Sequence, residues 1–211
     1  MARYKNGING AFSGKVGTVI GSSCRGIIYM KSLPETYSVP PTPAQLNQRL
    51  KLSMVSGWLR PLLNWINTGY QIFNGAKTPM NAAISYHMKE ALVGEGPDYS
   101  IDFTKAIFSR GDLLVSLVKS AVLLVNSTMH VVWENGPFSL FCKEDDQANF
   151  IIYNPAKGKF ITFKNVAARG VKEAVLKLPK SFAGDILHGW LHFVNEQGNQ
   201  VSTSVYFSGP N

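Results

Sequence analysis

TPAQLNQRLKLSMVSGW, residues 42–58, is the stretch whose reading decides the fold. Thr42 is placed to cap a helix, and Pro43 suits the first helical position. Gln45 can reach back to the Thr42 amide and complete a capping box. Leu46, Leu50, Met54 and Trp58 recur every four residues, and Leu52, Val55 and Leu59 widen that stripe. Gln45, Asn47, Gln48, Arg49, Lys51 and Ser56 lie largely off it. The pattern predicts an amphipathic helix with a sharp start and one buried face.

Beyond this helix, Pro61 predicts a kink or restart, and Leu62, Leu63, Trp65, Ile66 and Tyr70 carry an apolar surface on to Phe73. Thr78-Pro79 repeats the cap-then-proline signal and opens a second helix expected to run to about Leu92, closed by Gly94 and Gly96. On it, Tyr86 reads as a packed aromatic and His87 as a surface imidazole.

Ahead of the helix, Pro34, Pro40, Pro41 and Pro43 make residues 33–43 a stiff extended connector, because proline fixes its own torsion and restrains the residue before it. Further upstream come Gly7, Gly10, Gly14, Gly17, Gly21 and Gly26. Glycine costs about 1 kcal/mol per helical position relative to alanine, so these residues argue against a helix. Val16, Val19, Ile20, Ile27, Ile28 and Tyr29 instead predict two strands, 15–22 and 25–31, forming a glycine-rich hairpin around Ser22–Cys24. Hairpin and connector together form an arm, with Gly10, Gly14, Val16, Gly17, Val19, Gly21, Gly26, Ile28 and Tyr29 as its assembly residues. Gly-Ala-Phe-Ser-Gly-Lys-Val-Gly at 10–17 looks like a phosphate-binding loop, but that loop needs glycine at Asn9 and a hydroxyl at Val16.

From Tyr99 the character changes. Apolar runs near 100–107, 112–118, 121–126, 128–134, 148–154, 159–164, 172–178, 186–194 and 200–207 are separated by turns such as Asn154-Pro-Ala-Lys-Gly158 and Asn195-Glu-Gln-Gly-Asn199. This spacing predicts an antiparallel β-sandwich of immunoglobulin or fibronectin type, with Trp133 and Trp190 in its core. No cysteine pair bridges them, which favours the fibronectin-like variant. The expected class is therefore α+β: an arm and connector at 1–41, a helical segment at 42–97 and a β-sandwich at 98–211.

The chain has 211 residues and no run of about 18 apolar residues, so membrane insertion is not expected. The N-terminus lacks a signal-peptide core, which points to cytoplasmic synthesis followed by incorporation into a particle or filament. Cys24 and Cys142 are far apart and read as reduced thiols. The net charge of +8 is uneven: Arg3, Lys5, Lys15, Arg25, Lys31, Arg49, Lys51 and Arg60 stand against Glu35 alone in residues 1–60. An anionic partner would meet Arg3, Lys5, Lys15, Arg25, Lys31 and Arg49, and could be nucleic acid, an anionic surface or the acidic face of another subunit.

Catalytic signals are weak. His188 and His192 would share a helix face, but this segment reads as a strand, where they lie roughly 13 Å apart. Glu144-Asp145-Asp146 lacks the spaced ligands of a calcium loop and reads as a solvated turn. No Gly-x-Ser-x-Gly occurs. No enzyme activity, metal or cofactor is expected.

Four segments carry a resemblance: Gly10-Ala-Phe-Ser-Gly-Lys-Val-Gly17, Gly26-Ile-Ile-Tyr-Met-Lys31, Pro41-Thr-Pro-Ala-Gln45 with Arg49, and Gly184-Asp-Ile-Leu-His-Gly-Trp-Leu-His-Phe-Val194. Their order resembles an uncharacterised bacterial domain-of-unknown-function family across most of the chain. That family implies no known activity. Residues 14–55 also look like a segment of phage-type structural proteins, which implies assembly. The expected function is a non-enzymatic structural protein that self-assembles through its N-terminal arm into a phage-like particle, appendage or filament. The alternatives are nucleic-acid binding through residues 1–60 and a carbohydrate- or protein-binding module built on the sandwich.

Overall fold

The computed structural model describes residues 2–3, 12–34, 40–73, 75, 77–124 and 127–209. The chain divides into two compact units, Met1–Thr42 and Pro43–Asn211.

In the first unit, β1 (Ala2–Arg3), β2 (Gly14–Val16), β3 (Val19–Cys24) and β4 (Ile27–Ser32) form one antiparallel sheet in the order β1-β4-β3-β2. The expected break at Ser22–Cys24 does not exist, because those residues complete β3. Two-residue turns at Gly17-Thr18 and Arg25-Gly26 fold β2, β3 and β4 into a meander. Arg25 (φ 52°) and Gly26 (φ 76°) are both left-handed. Such turns match the right-handed twist of flanking strands, which sets the register Cys24 opposite Ile27. Gly10, Lys5 and connector residues 35–39 lie outside the described residues.

The second unit opens with α1 (Pro43–Leu59), whose first residue is the expected proline. A 3-10 turn containing Pro61 follows, then α2 (Leu63–Gly69). In α3 (Pro79–Glu90) the Asn81 amide donates to Thr78 Oγ1 at 3.1 Å, so the second cap forms as the sequence implies. The helix stops at Glu90 rather than Leu92. Residues from Leu92 join a hairpin of β5 (Leu92–Glu95) and β6 (Asp98–Ile101), turning at Gly96-Pro97.

Seven strands make the rest: β7 (Leu117–Leu124), β8 (Thr128–Glu134), β9 (Gln147–Asn154), β10 (Lys159–Ala168), β11 (Glu173–Lys177), β12 (His188–Val194) and β13 (Val205–Ser208). They form two antiparallel sheets, β10-β9-β12-β13 and β11-β8-β7. Four expected strands differ. The run at 100–107 stops at Ile101 and becomes a 3-10 turn, where Asp102 accepts from the Thr104 amide. Of the run at 112–118 only Leu117 and Val118 are strand; they join the run from 121 in one strand, β7, bulged between Val118 and Ser120, and residues 125–126 lie outside the described residues. The last strand begins at Val205, and Val201 and Ser202 make isolated bridges only.

Two cores account for this arrangement. Met129, Val131, Trp133, Phe150, Ile152, Leu176, Leu191 and Phe193 fill the space between the two sheets. On the other face of the four-stranded sheet, Ile151, Tyr153 and Trp190 pack against Val55, Leu59, Leu62 and Ile66 of the helices. Strands β9 and β12 are thus covered on both faces, which is why their sequences run almost continuously apolar. The helical segment and the strands share a core and form one unit.

The stripe on α1 is shorter than its sequence predicts. Val55 and Leu59 are buried and Met54 and Trp58 partly so, but Leu46, Leu50 and Leu52 are exposed. The first turns of α1 are held instead through Asn47, which accepts from the Tyr99 hydroxyl of the hairpin, and Lys51, whose ammonium lies 5.2 Å from the Tyr99 ring centre.

Candidate functional site

Register sorts the N-terminal sheet into two faces. Residues directly opposite in an antiparallel sheet share a face, and alternate residues change it. Val16 pairs with Val19, Gly14 with Gly21, Gly21 with Met30, and Ser23 with Ile28. One face therefore gathers Val16, Val19, Ile28 and Met30 around two glycines. The other carries Lys15, Ile20 and Lys31 in one row and Tyr29 two residues along. Among the described residues 12–34, Gly21 is the one buried position, and Val16 is 64% exposed. Phe12 lies over Gly21, whose missing side chain admits its ring. Lys15, Arg25 and Lys31 are exposed, as is Arg49 on α1. The side chain of Arg3 is not among those described.

The second unit carries an apolar surface of its own. The Leu114 amide donates to the Phe141 carbonyl at 2.8 Å, joining two irregular segments. Leu114, Val115, Phe138, Phe141 and Leu140, the last 79% exposed, lie on these segments. The exposed acids Asp112, Glu144 and Asp145 flank them in the chain.

Asp146 is not solvated, contrary to the expectation for its cluster. It is buried 3.4 Å from the Nη1 of Arg169, itself fully buried. The Arg169 guanidinium lies 4.0 Å from the Phe193 ring centre and donates from Nη2 to the Leu114 carbonyl. Its backbone carbonyl accepts from Trp133 Nε1 and Asn135 Nδ2. No sequence motif announces this pair; it is made by a strand end meeting a loop.

His87 is buried rather than on the surface. Its Nδ1 donates to the Ala83 carbonyl (2.8 Å) and its Nε2 accepts from the Ile107 amide (3.4 Å). Burial pushes its pKa down to about 4. His188 and His192 sit on one strand, as expected, in different surroundings. His188 meets the Tyr206 hydroxyl at 2.9 Å and packs against the tilted ring of Phe103. His192 is 2% exposed, meets Trp65 edge-on and is held by burial to about 4. Among the described residues, no three His, Cys, Asp or Glu side chains cluster as metal ligands. Both cysteines are free, Cys24 exposed and Cys142 buried, and no described helix is long and apolar enough to cross a membrane.

The largest departure from the sequence reading is a polar cleft of about 440 Å³ at one end of the helix-covered sheet face, lined by α2, β9, β10, β12 and the loop at 195–198. Its residues are scattered over the sequence as ordinary surface polars, so no spacing signals it.

No curated protein and no solved structure matches the chain. The match that exists runs over residues 11–208, nearly the whole chain: the protein belongs to a Family of unknown function (DUF6266).

Proposed function

We propose that the protein is a non-enzymatic structural subunit that assembles with copies of itself through the N-terminal sheet, as part of a particle, appendage or filament. One observation carries this reading: a four-stranded sheet with apolar Val16, Val19, Ile28 and Met30 on one face buries a single described residue, Gly21. A sheet needs a covered apolar face to be stable. A second copy supplies a suitable cover, since the surface of Leu114, Val115, Phe138, Leu140 and Phe141 is itself apolar and exposed. Sheet against patch is a head-to-tail contact, which closes into rings or extends into filaments. Sedimentation of wild type and Val16→Glu tests it: wild type grows with concentration and the variant stays smaller. Equal sizes for both would remove the sheet from the interface.

A second reading draws on the opposite face, where Lys15 and Lys31 share a row beside Tyr29. Lysines next to an aromatic ring suit single-stranded nucleic acid. Binding that weakens steeply with added salt, and is lost in Lys15→Glu with Lys31→Glu, would favour this reading.

We further infer that the seven-stranded part is a fibronectin-like sandwich. Lettering β7 to β13 as A to G gives sheets A-B-E and D-C-F-G. The fourth strand pairs with C, whereas in the antibody constant arrangement it pairs with E.

A further inference from the structure

The helices cover the central sheet over Ile151, Tyr153 and Trp190 but leave its other end open. There Gln147 and Asn149 of β9 and His192 of β12 lie beside Asn165 of β10, and Asn64, Trp65 and Thr68 of α2 form the facing wall. The space of about 440 Å³ falls within the roughly 300–1,000 Å³ of small-molecule sites.

Two features show that this end is built rather than left over. Asn149 is buried, and its Oδ1 accepts from the Asn165 amide at 2.7 Å. That bond holds Asn165 at φ 51° where β10 bulges out of register with β9. Left-handed backbone at a bulge persists where the surroundings fix it, and such positions gather at binding sites. His192 is buried with an Nδ1 that has no hydrogen-bond partner in the protein. Buried polar atoms are nearly always paired, so this one calls for a partner from outside the protein, a water or a ligand.

The lining selects the ligand chemistry. Amide side chains both donate and accept, which suits hydroxyl groups that do the same. The charged lining residues, Lys164 and Glu196, are of opposite sign, so neither a strongly anionic nor a cationic ligand is favoured. Trp65 adds an aromatic surface for the C–H face of a sugar ring. Glu196 is the single carboxylate in the lining, and glycoside hydrolysis ordinarily uses two. We propose that this cleft binds, without cleaving, a neutral saccharide unit, either a free disaccharide or one within a longer chain.

The test is an NMR titration of the isotope-labelled full chain with cellobiose, maltose, lactose and N,N′-diacetylchitobiose, and with a longer oligomer of whichever binds. The same titrations are run on Asn64→Ala and Asn165→Gly. Glycine accepts the left-handed backbone at 165, so the second variant keeps its fold while losing the side chain. The expected result is saturable shifts at Asn64–Thr68, Gln147–Asn149, Lys164–Asn165 and His192–Gly198 with at least one disaccharide. Each substitution should weaken binding about tenfold, the effect of losing a hydrogen bond or two. Affinity that rises with oligomer length marks a chain as the ligand, and constant affinity marks the free disaccharide; both uphold the site. No saturable shift with any of the four, shifts elsewhere, or binding unchanged in both variants would overturn it.

Discussion

The ring of Phe12 lies across Gly21 so closely that a Cβ at residue 21 would stand 2.6 Å from two of its ring carbons. The strand carrying Gly21 is paired on both sides, by β2 and β4, so it cannot shift to make room. Gly21→Ala should therefore expel Phe12 and loosen the N-terminal sheet. The unit beginning at Pro43 has its own cores and should melt unchanged. Thermal unfolding followed at the tryptophans, all of which lie beyond residue 43, reads the second unit. Hydrogen exchange at β3 and β4 reads the first. Wild-type protection at β3 in the variant would show that the close approach does not matter.

Two helices start with the same Thr-Pro pair, Thr42-Pro43 and Thr78-Pro79. At α3, Thr78→Ala removes the acceptor for the Asn81 amide and should cost about 0.5–2 kcal/mol. At α1, Thr42→Ala should cost a similar amount. If Thr42 and Gln45 act as a box, Thr42→Ala and Gln45→Ala will be coupled rather than additive. Chemical denaturation of the three single variants and the Thr42/Gln45 double variant measures this. Strict additivity at α1 would rule out the box while leaving the Thr78 cap intact.

The buried pair of Arg169 and Asp146 should be among the most sensitive points of the second unit. Removing one partner leaves a charge without compensation in the core, at a cost of about 3–5 kcal/mol. Asp146→Ala should therefore lower the unfolding midpoint sharply, more than either cap variant. A loss below that of Thr78→Ala would mean that Arg169 is held by Phe193 and the Leu114 carbonyl alone.

Stability should fall on mild acidification. His87 and His192 are both buried and pushed from 6.5 down to about 4. Between these values the unfolded chain binds protons that the folded chain does not, so stability is complete above about pH 6.5 and declines as pH falls toward 4. Each residue contributes a loss of roughly 3 kcal/mol across that window. Melting curves from pH 7.5 to pH 4.5 should show the decline, and His87→Gln should flatten part of it. A flat wild-type profile would contradict the burial argument.

Local chemistry was legible wherever it acts alone. Thr78-Pro79 marked a helix start, and the apolar runs marked β8, β9, β11 and β12. What depends on partners distant in sequence was not. Leu46 and Leu50 fit the helical period, yet both remain about half exposed, and the first turns are held through Asn47 and Lys51 at Tyr99 instead. His87 looked like a surface residue because its acceptor and donor, Ala83 and Ile107, belong to the backbone. Asp146 was hidden in an acidic triplet, and its partner is a lone arginine 23 positions later. The cleft is invisible for the same reason: Trp65, Asn149, Asn165 and His192 come from four elements and meet only when the sheet is built.

The central claim is that the N-terminal sheet joins copies of the chain. Sedimentation velocity of the full chain over a hundredfold range of concentration, beside Gly21→Ala and Val16→Glu, tests it most directly. The account predicts wild-type mass rising from one chain to several, with both variants remaining single at concentrations where wild type has assembled. Wild type that stays a single chain throughout, or variants that assemble as well as wild type, would contradict it.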